Sequence, residues 1–322
     1  MNNYLESEIK LSIVVPVYNE EKNIKPFLEK LIPIVETTKL KYEVLFILDP
    51  SKDKTEEEIR KSIELNSNIS LLIMSRRWGQ NACLMAGMKE SRGDACITID
   101  VDLQDPPELI PEMYKEFENG NEVILTKRSS RKGEFFIRLL ITKIGYWAIN
   151  KLSDIQITSN VGDYRLISRR VINELILLKE GHGFFRGLIP FIGFKQKIIS
   201  YDRDERATGN TKYSPFFSSI KHGIDGVVAF SIKPLTMMIS AGLIIVFFSF
   251  LVAAIYLVRG LIFNQEMSYG LLPLLLLTIF FGGVQILCFG LIGQYIGRIY
   301  DEVRDRPKYI IEKKIISDNS NK

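Results

Sequence analysis

The chain has 322 residues, of which 46% are hydrophobic, with 42 Lys and Arg residues against 38 Asp and Glu residues. This length suits one large domain or two of ordinary size, and the near balance of charge gives no reason to expect a nucleic-acid partner. With only two histidines and three widely separated cysteines, a His-based triad, a multi-histidine metal site, a zinc site and a disulfide framework are all disfavoured.

The first hundred residues alternate apolar segments, polar loops and helical patterns. Strands are predicted at residues 11–17, 42–48, 69–75 and 95–99, and helices at 21–38, 56–64 and 80–91. This alternation is typical of a doubly wound, mostly parallel α/β sheet with right-handed crossovers. No Gly-x-Gly-x-x-Gly follows the first strand, so a dinucleotide-binding Rossmann domain is disfavoured.

The fourth predicted strand runs directly into an acidic segment. Asp100 and Asp102 lie two residues apart at its end, followed by Gln104, Asp105 and a Pro-Pro pair. Ligands of open α/β sheets bind at the carboxyl ends of the strands, and Mg²⁺ or Mn²⁺ bound by carboxylates leaves room for substrate phosphates. The segment therefore predicts a metal-bridged diphosphate, although Asp-x-Asp also occurs by chance in acidic loops.

The middle of the chain carries cations beside apolar and aromatic residues. A helix is predicted at 107–118 and a strand at 122–126, leading to Lys127, Arg128 and Arg131. Residues 135–152 resemble an interfacial helix on which Arg138 and Thr142 share one face, with a core helix as the alternative.

Further along, residues 161–166 interrupt the pattern before a predicted helix at 169–178. A glycine-rich turn at 181–187 and a strand at 198–203 are predicted next. The basic segment 206–212 is predicted to be a flexible loop that either closes over anionic phosphates or lies solvated at the surface.

The C-terminal third has the pattern of a membrane anchor. Residues 215–230 are amphipathic, and the uncharged segments 235–258 and 271–293 each exceed the ~20 residues that a bilayer core requires. Cations flank this pair on its outer sides, so the positive-inside rule predicts two transmembrane helices with both termini in the cytosol. Residues 1–10 are polar and lack the apolar core of a signal peptide, so we expect the first domain to stay in the cytosol, and the tail after Tyr309 is predicted to be polar and mobile.

Several motifs occur in a fixed order along the chain. They are VPVYNEE at 15–21, DPSKDKT at 49–55, SRRWGQN at 75–81, DVDLQDPP at 100–107, GDYR at 162–165, GFKQ at 193–196 and GQYIGRIY at 293–300. With them the chain resembles the family-2 glycosyltransferases of GT-A fold that attach a sugar to a polyprenyl phosphate, the group of bactoprenol glucosyltransferases and dolichol-phosphate mannose synthases. The Gln-x-x-Arg-Trp motif of processive polysaccharide synthases is absent.

The resemblance implies a domain plan and an activity. A cytosolic GT-A (Rossmann-like) domain would span 1–213, followed by a juxtamembrane segment at 214–234, transmembrane helices at 235–258 and 271–293, and a cytosolic tail at 294–322. The enzyme would be a metal-dependent, inverting transferase in the plasma membrane, associating as a homo-oligomer. It would move glucose from UDP-glucose to undecaprenyl phosphate for cell-envelope glycosylation. The alternatives are a UDP-GlcNAc, UDP-galactose, aminopentose or GDP-mannose donor, or an inactive nucleotide-sugar-binding membrane protein.

The resemblance also implies roles for individual residues. The nucleoside would contact Pro16, Tyr18 and Glu20, and the base would contact Asp49. The metal, Mg²⁺ or Mn²⁺, and the diphosphate would be bound by Asp100, Asp102 and Gln104. The donor and acceptor phosphates would be bound by Arg128, Arg138, Thr142, Arg206 and Lys212. From the chemistry of the transfer, and not from the resemblance, we expect Asp163 to lie near the acceptor or to serve a structural role, such as bonding to the backbone near Ser168 or pairing with Arg165.

Three positions depart from the family pattern. The usual acidic pair after the second strand is Leu48-Asp49 here, the usual lysine of the third loop is Gln80, and the usual serine before Lys212 is Thr211. The first two departures affect recognition of the base and the sugar, whereas threonine keeps the hydroxyl group of serine.

Overall fold

A computed structural model of the chain describes residues 8–128, 151, 161–178, 185–202, 231–263 and 271–316. The predicted strands and helices of the first half are present, with ends that differ by a few residues. They are β1 (Leu11–Val17), α1 (Ile24–Thr37), β2 (Tyr42–Leu48), α2 (Thr55–Leu65), β3 (Ile69–Met74), α3 (Gln80–Glu90), β4 (Ala95–Thr98), a 3-10 turn (Pro107–Leu109), α4 (Ile110–Glu118) and β5 (Val123–Arg128).

The second half adds two strands and a helix that the sequence patterns did not predict. Its elements are β6 (Val161–Ser168), α5 (Arg169–Leu177), α6 (Phe185–Ile192), β7 (Gln196–Tyr201), α7 (Lys233–Phe263), α8 (Leu271–Val303) and β8 (Ile311–Ile316). The described strands form one sheet in the order β7-β5-β6-β4-β1-β2-β3-β8. Among them, only β6 and β8 are antiparallel to their neighbours, so the predicted mostly parallel α/β sheet is confirmed.

The burial of the first strands on both faces explains why the sequence pattern predicts them. All seven residues of β2 are buried, as are most of β1, because helices cover both faces of a parallel sheet. Helix α1 buries one stripe, formed by Ile24, Phe27, Leu28, Leu31 and Val35, against this sheet.

Strand β6 corrects the prediction that residues 161–166 interrupt the pattern. It lies between β4 and β5 and runs antiparallel to both. Its sequence contains Gly162, Asp163 and Arg165, which break the apolar run expected of a central strand. Helix α6 is a second correction, since it begins at Phe185 within the segment predicted to be a glycine-rich turn.

Strand β8 corrects the prediction that the tail after Tyr309 is mobile. It pairs antiparallel with β3, with Leu71 opposite Ile315, and so covers an edge of the sheet. The charged residues Glu312, Lys313 and Lys314 are exposed, as is common in edge strands. Only Ile311 and Ile315 of this strand pack against the core, and so the segment lacks the hydrophobic pattern of a strand.

We expect removal of residues 310–322 to destabilise the domain. The truncation deletes the β3–β8 hydrogen bonds and bares the β3 edge, so the unfolding temperature should fall by about 5 °C or more. Thermal unfolding of the detergent-solubilised protein measures this effect, with a control that lacks only residues 317–322. Equal stability of the two truncated chains would show that β8 contributes little.

Helices α7 and α8 are long and apolar enough to cross a membrane, with mean hydropathy of 2.2 at Lys233–Leu251 and 1.7 at Leu277–Val303. Their large apolar side chains are exposed, for example Phe250 (73%) and Leu287 (75%), which is the opposite of a core helix. Both helices extend beyond the segments predicted from the sequence. The predicted interfacial segments, residues 135–152 and 215–230, lie outside the described residues apart from residue 151.

Candidate functional site

A cleft of about 260 Å³ opens at the carboxyl ends of β1, β2 and β4. These parallel strands are adjacent, so the loops that follow them meet at one edge of the sheet. The residues that line the cleft are Pro16, Val17, Tyr18, Glu20, Asp49, Arg77, Gly79, Gln80, Cys83, Asp100, Val101 and Asp102. The fold thus brings together six of the predicted site residues: Pro16, Tyr18, Glu20, Asp49, Asp100 and Asp102.

The loops after β1 and β2 bind each other through backbone amides. The Glu20 amide donates to the Thr55 hydroxyl (2.8 Å), and the Lys52 amide donates to the Asn19 side chain (2.9 Å). Asn19 has a positive φ of 53°, which turns the chain sharply after Tyr18. These bonds hold Tyr18 and Glu20 at the cleft.

Asp49 is buried at the end of β2, and both of its carboxylate oxygens accept backbone hydrogen bonds. The donors are the amides of Trp78 (3.0 Å) and Gly79 (2.8 Å), in the loop after β3. Asp49 therefore positions this loop, a role that the sequence did not predict. A carboxylate can accept further bonds, so its predicted contact with the base stays a prediction.

Asp100 and Asp102 follow β4 in a tight turn. The Asp102 carboxylate accepts a bond from the Gln104 amide (3.2 Å), and Leu103 between them has a φ of +59°. Gln80 at the start of α3 donates from its side chain to the Asp100 carboxylate (2.9 Å). Gln104 thus orients Asp102 through its main chain, while its predicted metal contact stays a prediction.

The electrostatic environment of Asp100 is strongly negative. Loss of hydration, and then the nearby carboxylates of Asp105, Asp102 and Asp163, raise the pKa of Asp100 to about 7. The Arg128 charge opposes this shift without cancelling it. Burial and the neighbouring carboxylates therefore favour the protonated form of Asp100 in the absence of a bound cation.

Two oxygen donors under mutual repulsion fit a hard divalent cation. In the described part of the chain, no group of three or more His, Cys, Asp and Glu side chains is arranged to hold a metal. Asp100 and Asp102 supply two oxygen donors of the kind that Mg²⁺ and Mn²⁺ bind, and their predicted metal contact stays a prediction.

Arg128, a predicted acceptor ligand, lies in a network beside the acidic turn. Its Nε donates to the Tyr201 hydroxyl (3.3 Å), which itself donates to the Asp105 carboxylate. Asp105 is buried, and its Oδ1 is 3.8 Å from Nη2 of Arg128. Burial and the nearby Asp105 raise the pKa of Tyr201 to about 12, so its hydroxyl remains a donor. Arg128 therefore balances buried negative charge, and its contact with an acceptor phosphate stays a prediction.

Asp163 lies on β6 opposite the end of β4. Its carboxylate pairs with Arg165 at 2.6 Å, and its carbonyl oxygen accepts a bond from the Thr98 hydroxyl. Of its two expected roles, the structural pairing is present, while contact with the acceptor stays a prediction. The remaining predicted ligands, Arg138, Thr142, Arg206 and Lys212, lie outside the described residues.

The sequence patterns predicted no role for several residues at the site. Arg77 and Cys83 reach the cleft from the loop after β3 and from α3, and Tyr201 reaches Asp105 from β7. Only the fold brings these distant segments together, and although Arg77 belongs to the SRRWGQN motif, that motif does not by itself indicate a place in the cleft. Gln80 had a signal, because it stands where the family pattern has lysine.

Comparison with known proteins gives consistent matches over most of the chain. A family model described as glycosyl transferase family 2 matches residues 12–176. The uncharacterized glycosyltransferase YkcC of Bacillus subtilis is 40% identical over 309 residues, which cover 96% of this chain and 95% of that protein. The SfII prophage-derived bactoprenol glucosyl transferase of Shigella flexneri is 37% identical over 305 residues, which cover 95% of this chain and 98% of that protein.

Proposed function

The chain belongs to glycosyl transferase family 2, and we propose that it transfers glucose from UDP-glucose to a polyprenyl phosphate, undecaprenyl phosphate, at the cytosolic face of a membrane. The observation that carries the proposal is the acidic cleft at the sheet edge, in a chain that also has two membrane-length apolar helices. Similarity to a bactoprenol glucosyl transferase over nearly the full length of both chains supports this lipid acceptor and this sugar.

The cleft is the proposed donor site. Tyr18, Asp100 and Asp102 line this cleft, which supports a site in which Tyr18 would contact the nucleoside and the two carboxylates would face the diphosphate. A divalent cation bound there would stabilise the negative charge that develops on the departing diphosphate. Asp102, held by the Gln104 amide, and Asp100, held by Gln80, are pre-oriented for that contact.

We propose a single displacement with inversion at the anomeric carbon. An oxygen of the acceptor phosphate forms the new bond to that carbon while the bond to the β-phosphate oxygen breaks, and UDP leaves with the electron pair. A phosphate monoester has a second pKa near 6, so the nucleophile is already ionised at neutral pH and needs no strong base. Burial and the neighbouring Asp49 raise the pKa of Cys83, which keeps this thiol protonated and unsuited to act as a nucleophile.

The ends of the two apolar helices support a hairpin through the membrane. Before α7, the Ser231 carbonyl accepts a bond from the Tyr295 hydroxyl (2.7 Å) of α8. After α8, the Ile310 carbonyl accepts a bond from the Ser75 amide (3.0 Å), and β8 joins the sheet. We therefore propose that both outer ends lie on the side of the catalytic domain, with the connector on the other side.

We expect this topology to be measurable by cysteine labelling in intact cells. In a chain without its native cysteines, Ser268→Cys in the connector should react with a membrane-impermeant thiol reagent, whereas Ser320→Cys should react only after the cells are opened. The reverse labelling pattern would place the cleft outside the cytosol, away from the nucleotide-sugar pool.

A donor panel tests the proposed function. Membranes that contain the protein are incubated with radiolabelled UDP-glucose, UDP-GlcNAc, UDP-galactose, an aminopentose nucleotide or GDP-mannose, and the lipids are then extracted. We expect label from UDP-glucose in the lipid phase. Label from another donor would show that the transferred sugar is not glucose. If no donor labels the lipid phase, the result would favour a nucleotide-sugar-binding protein without catalysis. Chemical crosslinking in the same membranes tests the proposed homo-oligomer.

A further inference from the structure

Arg77 places a positive charge at the cleft from the loop that follows β3. Its Cζ lies 4.1 Å from the ring centroid of Tyr18, so the guanidinium stacks on an aromatic residue of the same cleft. The side chain is exposed and lines the cleft wall. Stacking covers one face of the guanidinium and leaves its N–H edge able to donate.

The backbone on both sides of Arg77 is held in place. Before it, the Ser75 amide donates to the Ile310 carbonyl (3.0 Å) of the segment that leads into β8. After it, the Trp78 and Gly79 amides donate to the buried Asp49 carboxylate. Gly79 has a φ of +90°, a conformation that favours glycine. The loop therefore presents Arg77 to the cleft from a fixed position.

Arg77 carries a positive charge in a cleft whose other charged residues, among those described, are acidic. Among the described residues that line it, carboxyl groups come from Glu20, Asp49, Asp100 and Asp102, and Arg77 is the one with a positive charge. The position where the family pattern has lysine is occupied by the neutral Gln80, whose amide is used to bind Asp100. An anionic ligand that enters this cleft thus meets a cationic side chain of its wall at Arg77.

We propose that Arg77 is a donor-binding residue that donates hydrogen bonds to the diphosphate of the nucleotide sugar. The inference deepens the proposed function and rests on it, since it takes a nucleoside diphosphate as the ligand. The N–H edge of the planar guanidinium can engage two phosphate oxygens at once, while Tyr18 stacks against one of its faces.

Binding of UDP and of uridine to the full-length protein in detergent tests the inference. Affinities are measured by competition with a labelled UDP in the presence of Mn²⁺. Arg77→Ala should weaken UDP binding about tenfold or more, because it removes a charge-assisted contact, and should leave uridine binding nearly unchanged. Arg77→Lys should lose less UDP affinity than Arg77→Ala, because lysine keeps the positive charge but lacks the planar guanidinium that can engage two oxygens.

Arg76→Ala is the matched control. Arg76 is also exposed and also stacked on an aromatic ring, 3.6 Å from the centroid of Trp78, but it does not line the cleft. This variant should bind both ligands as the native chain does.

Two results would overturn the assignment of Arg77 to the diphosphate. The first is an Arg77→Ala variant that binds UDP as tightly as the native chain does. The second is an Arg77→Ala variant whose affinities for uridine and for UDP fall equally, which would show that the Arg77–Tyr18 stack contributes to binding of the base and not of the diphosphate. A native chain that binds no nucleoside diphosphate would overturn the proposed function, and this inference with it.

Discussion

Replacing Asp102 by Asn is expected to lower the rate of sugar transfer at least ~100-fold. The substitution keeps the side-chain volume but removes a negative charge from the pair that would hold the cation. Since the Asp102 carboxylate is already oriented by the Gln104 amide, the loss would be electrostatic rather than a failure of positioning. Removal of divalent cations with EDTA should abolish transfer, and Mg²⁺ or Mn²⁺ should restore it.

Asp94→Asn provides the matched control for this variant. Asp94 lies at the opposite end of β4, where it forms a partly exposed ion pair with Lys10 at 2.9 Å. The same chemical change there should leave turnover nearly unaltered, because exposed ion pairs contribute little to stability and this one is remote from the cleft. Turnover of Asp102→Asn close to that of Asp94→Asn, with metal present, would contradict the metal assignment.

The second large effect concerns the acceptor. We expect a polyprenyl monophosphate to be glycosylated and the corresponding polyprenol to be inert, because only the phosphate supplies an ionised oxygen at neutral pH. An alcohol would need a general base, and Asp163, the carboxylate predicted to lie near the acceptor, is paired with Arg165. Thin-layer chromatography of lipid products from purified enzyme in nanodiscs measures both reactions. Equal turnover of the alcohol would refute the phosphate nucleophile.

Arg138 is the predicted partner of that phosphate, on a segment outside the described residues. Arginine engages two phosphate oxygens, which the compact charge of lysine does not reproduce. Arg138→Lys should therefore impair use of the lipid more than donor binding, with donor affinity measured by calorimetry. Unchanged acceptor kinetics would move the acceptor site, with Arg128 and Arg131 as the next residues to test.

Sequence patterns predicted the strands that are buried on both faces of the sheet. Strands β1 to β4 are covered on both faces and read as apolar runs, so the position of the acidic turn at the sheet edge follows from the order of apolar and polar segments. Sequence patterns did not predict strand β6 because Asp163 and Arg165 break its apolar run. The ion pair between these two residues allows them to lie inside the sheet. Strand β8 escaped prediction because its charged residues face solvent and its pairing with β3 spans most of the chain.

The candidate site likewise contains residues that a local motif predicts and residues that only the fold brings together. Asp100 and Asp102 form a local motif, so their proximity follows from two sequence positions. The Trp78 and Gly79 amides donate to Asp49, and the Tyr201 hydroxyl donates to Asp105, so these bonds join residues that are distant in the chain. Such contacts depend on strand order, which local patterns do not determine. The roles of Arg77 and Tyr201 therefore emerge only from the folded chain.

Transfer by the purified enzyme tests the central claim most directly. Full-length protein in nanodiscs is supplied with radiolabelled UDP-glucose, undecaprenyl phosphate and Mg²⁺ or Mn²⁺, and the label in the extracted lipid is counted over time. We predict steady formation of one labelled lipid that requires the phosphate on the acceptor and is lost with Asp102→Asn. If UDP-glucose binds but no label enters the lipid, or if Asp102→Asn forms the product at the native rate, the proposed transferase mechanism is contradicted.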